Sequence, residues 1–283
     1  MTKKLILAKK LLSFAAITLC PYAFATTTFS FSGSEQQFTA PETGMYLITA
    51  FGAAGGGSTI GTRESGGKGA EIGGDFDLTA GEVLDIYVGG VGGSANFGGG
   101  GGGGSFVVEG TTPLVVGGGG GGASAEAPGG AGQTSASNSN GGAGGAGGGG
   151  GGGGFTGSGS NGFPPGDSGS GGSGFPTLTG GAGDSDEHDG PGGFGGGGGG
   201  GAFGGGGGGG FSGGAGGGDD NVGGGGGGSF DSGSNQILIA GENSGDGSVD
   251  ITLLTPEPAS FTLVGISLAA LFVWRRRRIP HAE

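Results

Sequence analysis

The sequence predicts an all-β protein: an antiparallel β-sandwich interrupted by a long glycine-rich insertion. Three observations lead there. Short segments of alternating polar and apolar residues, separated by turn residues, occupy the chain before Gly117 and return near its end. No stretch carries a helical period. Glycine supplies 90 of the 283 residues, far above the usual ~7%, and dominates the stretch between those two strand-bearing regions.

The first residues are a secretion address. Lys3, Lys4, Lys9 and Lys10 form a basic stretch, and Leu11 to Cys20 an apolar one. Pro21 breaks the run, and Ala23-Phe24-Ala25 supplies the small-x-small pattern cut by signal peptidase. Residues 1–25 are therefore read as a signal peptide, cleaved after Ala25. The apolar run is well short of the roughly 20 residues of a membrane span. Cys20 is the single cysteine. Bulky Leu19 before it speaks against a lipid anchor, and cleavage after Ala25 leaves a chain without thiols or disulfides.

Residues 26–116 hold most of the strands. Thr28-Phe29-Ser30-Phe31 and Gln37-Phe38-Thr39-Ala40 alternate, and Pro41-Glu42-Thr43-Gly44 turns. Met45 to Phe51 is rich in β-formers. Asp75-Phe76-Asp77-Leu78, Val83 to Val88, Ser105 to Val108 and Pro113 to Val116 follow. Residues 235–255 close the set with Gln236 to Ala240 and Ser248 to Leu254. The two flanks together suffice for one β-sandwich of ~100 residues, so early and late strands must pair across the gap.

That gap, residues 117–234, is mostly glycine. Ordering backbone costs ~1–2 kcal/mol per residue, and glycine loses the most freedom. With few side chains to bury, the segment is either disordered or ordered by backbone hydrogen bonds between neighbouring stretches. Polyglycine offers such a state: an extended helix of three residues per turn, without internal hydrogen bonds. Gly195 to Gly201 and Gly204 to Gly210 are long enough for two turns each. Phe194 and Phe203, nine apart, would share a face of such helices, whereas Phe211 would not.

The chain closes on a tripartite tail, residues 256–279. Pro256-Glu257-Pro258 precedes an apolar run, residues 261–274, which at ~1.5 Å per residue spans a bilayer only marginally. Arg275, Arg276, Arg277 and Arg278 then stop transfer and hold the cytoplasmic side, placing the body outside. The triplet, short span and arginine cluster, in that order, resemble the PEP-CTERM sorting signal of Gram-negative bacteria. The resemblance implies recognition by exosortase, cleavage near the triplet, and release to the cell surface or exopolysaccharide matrix. The inner membrane then holds the tail only transiently, much as a GPI signal is discarded. The alternative is a C-terminal anchor that is never cut.

A second resemblance covers most of Phe29 to Gly122. Glu35 to Gly56, Gly67-Lys68-Gly69-Ala70, Leu78 to Gly90 and Leu114 to Gly120 are similar, in order, to the glycine-rich domain of the anaplastic lymphoma kinase and leukocyte tyrosine kinase receptors. It implies a TNF-like β-sandwich with an inserted bundle of glycine helices and allows a protein-binding role. By analogy it also allows a homo-oligomer. Neither the kinase domain nor the bracing cysteines occur here, so signalling is not implied.

Charge and motif content narrow the function. Between Thr26 and Thr255 stand two cations, Arg63 and Lys68, against 21 carboxylates, a net charge of −19. So acidic a body does not bind nucleic acid. G-x-G-x-x-G recurs as it must in a glycine-rich chain, but never between a strand and a helix. Gly66-Gly67-Lys68-Gly69 lacks the Ser or Thr of a phosphate loop. His188 is the one histidine of the body, too few for a serine or metal hydrolase. Asp184, Asp186 and Asp189 form a weak calcium candidate: the loop is oxygen-rich, but Asp189 stands where an EF-hand requires glycine. No cofactor is expected, and the chain reads as non-catalytic. It is expected to be a structural component of the surface or extracellular matrix, served by signal peptidase and exosortase during export. The alternative is an adhesion module binding an exopolysaccharide, another glycan or a surface protein.

Overall fold

The computed structural model describes residues 26–146, 148–184, 188–218 and 220–254. The expected signal peptide, ending at Ala25, and the tail, with its expected membrane segment over residues 261–274, lie outside the described residues. Among the described residues ten strands form two five-stranded antiparallel sheets. They are β1 (Thr26–Ser30), β2 (Gln36–Thr39), β3 (Gly44–Phe51), β4 (Gly69–Leu78), β5 (Val83–Tyr87), β6 (Ser105–Glu109), β7 (Thr112–Gly117), β8 (Phe230–Asp231), β9 (Ser234–Asn243) and β10 (Ser248–Leu254). One sheet has the order β1-β10-β3-β4-β9, the other β2-β5-β6-β7-β8. Early and late strands pair as expected, with Ile48 opposite Ile251 and Phe29 opposite Val249. Among the described residues no helix is long and apolar enough to cross a membrane.

The sheets pack face to face. Tyr46, Ile48, Ile72 and Ile251 from one meet Leu84, Ile86, Val107 and Val115 from the other in a single core cluster. Period-2 alternation determines who faces whom. In the second sheet the opposite face is apolar too: Tyr87, Phe106, Val108 and Val116 point away from this core, into a second cluster. Strands β6 and β7 are buried on both faces, which is why Phe106-Val107-Val108 and Leu114-Val115-Val116 read as continuous apolar runs. The outer face of the first sheet is mixed instead: Met45 and Ile239 are exposed on it, and Thr28 donates to Asp250 Oδ1 across it at 2.6 Å.

What covers the second sheet is the glycine-rich region. Along Gly149–Gly154 the backbone N–H groups point to three neighbours in rotation. Gly149 and Gly152 donate to Gly217 and Gly214, Gly150 and Gly153 to Gly199 and Gly196, and Gly151 and Gly154 to Ser160 and Gly157, all at 2.7–2.9 Å. Successive residues thus face different partners and every third residue faces the same one. Three further neighbours close in on the Cα atoms. A Cβ on Gly150, Gly151 or Gly152 would stand 2.0–2.1 Å from the carbonyl oxygens of Ser170, Gly142 and Gly208 respectively. Six neighbours around one stretch is close packing of rods that only side-chain-free backbone permits, with N–H and Cα–H groups both aimed at carbonyls.

The array is not confined to residues 117–234. Gly120 and Ala123 donate to Ala53 and Gly56, in the connector after β3. Gly101 and Gly104, in the connector between β5 and β6, donate to Gly198 and Gly195. The glycine-rich connectors of the sheets therefore continue into the array. The span assigned to the insertion also contains a strand: β8 pairs with β7 through Phe230 opposite Val116.

The phenylalanines depart from the expected phase. Phe194 packs on the second cluster and so does Phe211, whereas Phe203 is 48% exposed. Phe194 and Phe203 both sit in turns, and a turn breaks the three-residue phase on which the shared face depended. Phe175, Phe155, Phe211 and Phe230 stack in that order, with successive ring centroids 4.8, 5.8 and 4.5 Å apart. Phe175 meets Tyr87 edge-on and also contacts Phe106, closing the row onto the sheet.

Candidate functional site

The acidic loop proposed for calcium is drawn into the scaffold at one end. Asp189 is buried, and its Oδ1 accepts the Gly98 N–H at 2.5 Å. The adjacent His188 carbonyl accepts the N–H groups of Asn96 and Phe97. This carboxylate thus secures the connector ahead of β6. Asp184 is half-buried, and Asp186 lies outside the described residues. Among the described residues no group of three or more His, Cys, Asp or Glu side chains gathers closely enough to hold a metal.

Acidic groups elsewhere feel one another. Burial raises the Glu71 carboxyl above its ordinary range, and Glu242 and Asp250 add repulsion. Burial likewise raises Asp231, against the opposing effect of the Gly233 N–H bond and with help from Asp75. Both groups therefore hold protons to higher pH folded than unfolded. Their charging penalty is absent below the ordinary carboxylate value of ~4 and complete above the raised native values, so stability falls as pH climbs through that window. Thermal midpoints across that window should decline with rising pH. Glu71→Gln with Asp231→Asn should flatten the profile and raise the midpoint at neutral pH; an unaltered profile would refute this.

Two surface features remain. Strand β9 lies at a sheet edge and exposes Leu238 and Ile239. At the other feature, a cleft of about 550 Å³ opens among the connectors. Arg63 and Lys68, the two cations between Thr26 and Thr255, both line it. In the sequence the two count only toward the net charge, and Lys68 falls besides in a stretch that fails as a phosphate loop. The available signal was that an acidic body places both cations within one glycine-rich connector.

A family model of the PEP-CTERM protein-sorting motif matches residues 254–278, the stretch containing Pro256, Glu257, Pro258 and the four arginines. No curated protein matches the chain. The motif supports an exported surface protein targeted to exosortase, associated with the membrane before cleavage.

Proposed function

We propose that the chain is a non-catalytic structural protein of the cell surface or extracellular matrix, trimmed by signal peptidase after Ala25 and by exosortase near Pro256-Glu257-Pro258. The observation that carries this reading is the sorting motif over residues 254–278. The body is read as a TNF-like sandwich merged with a polyglycine II bundle. Support comes from two packed antiparallel sheets, the three-residue rotation of hydrogen bonds and the receptor-domain resemblance. A backbone-bonded array with few reactive side chains suits a durable structural role.

Intact mass and fractionation of the native protein test the processing. The expected species begins near Thr26, ends within residues 256–258, and lies outside the cell. Replacing Pro256, Glu257 and Pro258 with alanine should leave Arg275–Arg278 attached and shift the protein to the membrane fraction. A wild-type species that keeps its arginines in the membrane would make it an anchored protein instead. A second reading, a surface recognition module, is favoured by the apolar exposed edge of β9, since unpaired edges accept further strands.

A further inference from the structure

We propose that the cleft lined by Arg63 and Lys68 binds an acidic saccharide carrying one carboxylate per short unit. This goes beyond the structural role and stands on the cleft alone, so it holds whether or not the tail is removed.

The first argument is charge. The body carries −19, yet both of its cations line one cleft. Glu64 also lines it, leaving the lining with two positive groups and one negative. Arginine presents a planar fork that matches a carboxylate, and lysine adds a mobile point charge. Glu64 and the hydroxyls of Ser65, Ser94 and Ser244 are suited to sugar hydroxyls, as acceptors or as donors and acceptors. The net negative charge of the body disfavours densely charged polyanions, which selects for sparse charge.

Rigidity is the second argument. Arg63 adopts φ 59°, a left-handed conformation uncommon outside glycine. Its turn is pinned on several sides. Arg63 N–H donates to the Ile60 carbonyl at 3.1 Å, and Ser58 N–H to Glu64 at 2.9 Å. Thr62 N–H reaches Ala125 at 3.0 Å, and Thr59 N–H reaches Ala95 at 2.8 Å. Ser58 Oγ donates to the Asn96 carbonyl at 2.9 Å. The Lys68 carbonyl accepts the Gly132 N–H at 2.8 Å, locking that residue to the array. Both cationic side chains are exposed on this fixed frame, so a ligand need not order the backbone that presents them. A volume of about 550 Å³ falls inside the ~300–1,000 Å³ range of small-molecule sites.

Isothermal titration of the full chain in detergent with cellobiouronic acid, a disaccharide bearing one carboxylate, tests the assignment. Neutral cellobiose is its matched control. The expected result is saturable binding of the acid, none of cellobiose, and at least a ~10-fold loss in Arg63→Gln/Lys68→Gln, equal to about 1.4 kcal/mol. Circular dichroism should show that variant folded, since both side chains are exposed. If it is not folded, Lys68→Gln alone should still weaken binding. Absence of saturation, equal binding of cellobiose, or undiminished binding by the folded variants would overturn the proposal. Displacement by equimolar inorganic sulfate would also overturn it, because the cleft would then read charge without sugar. All these readouts are independent of export and tail cleavage.

Discussion

Gly152→Ala should destabilise the protein by about 3 kcal/mol, at the upper end of what overpacking costs. Alanine fits an extended backbone, so the cost is steric. The added methyl would stand 2.0 Å from the Gly208 carbonyl oxygen and 2.5 Å from its carbon. Those atoms are backbone, held in place by the array's own hydrogen bonds. Gly208 N–H donates to Gly225 at 2.9 Å and its carbonyl accepts the Gly214 N–H at 2.8 Å. The neighbouring rod must therefore move as a body and stretch its other contacts. In a chain of this size the thermal midpoint should fall by roughly 10 °C. Gly245→Ala is the control, because a methyl there meets nothing within 4 Å. Equal midpoints for the two variants would show that the array yields locally and is not close-packed.

Phe106→Ala should cost more, about 3–5 kcal/mol, the usual range for a fully buried phenylalanine. Phe106 has no exposed surface and points from β6 into the second cluster, beneath Phe175. Its removal opens a cavity where the second sheet meets the phenylalanine row. Phe203→Ala, at an exposed turn, should cost little. A double-mutant cycle of Phe106 with Phe175 should show coupling, as contacting aromatic pairs do. Additive losses would mean that the row and the sheet are held independently. Amide exchange should then show the glycine-rich stretches losing protection in Phe106→Ala before β3 and β10 do.

Most strands were legible because alternation is a local signal. Met45 to Phe51 and Ser248 to Leu254 match β3 and β10 almost residue for residue. Strand β4 was recognised only from Asp75, although it starts at Gly69. Gly73 and Gly74 hid its first half, since glycine is a poor strand former. Their neighbours explain them: a Cβ would collide with Thr49 at one and with the Asp231 carboxylate at the other. Strand β8 was missed because two residues carry no period.

Phe155, Phe175, Phe194, Phe211 and Phe230 recur at spacings of 20, 19, 17 and 19 residues, with Phe163 and Phe203, which the structure leaves exposed, falling between them and masking the period in the sequence. All five belong to the second cluster. Such a period is the mark of a repeating structural unit, here a return of the glycine-rich chain to the sheet. The three-residue helical phase that was considered is too local to reveal it. Arg63 and Lys68 were visible by their scarcity, but sequence does not tell that their connector folds into a cleft.

By itself, then, the amino-acid sequence determined the sorting tail, the all-β class and most strand positions. These depend on adjacent residues: a Pro-Glu-Pro, apolar and arginine order at the C-terminal end, and period-2 alternation before it. Tertiary structure alone decided the rest. It chose which glycine stretches become neighbours, merged the sheet connectors with the array, aimed the phenylalanines at one face and brought the two cations to one cleft. A glycine run carries no side chain to specify its partner. Its identity as a neighbour arises only when backbone donors and carbonyls far apart in the chain meet at hydrogen-bonding distance.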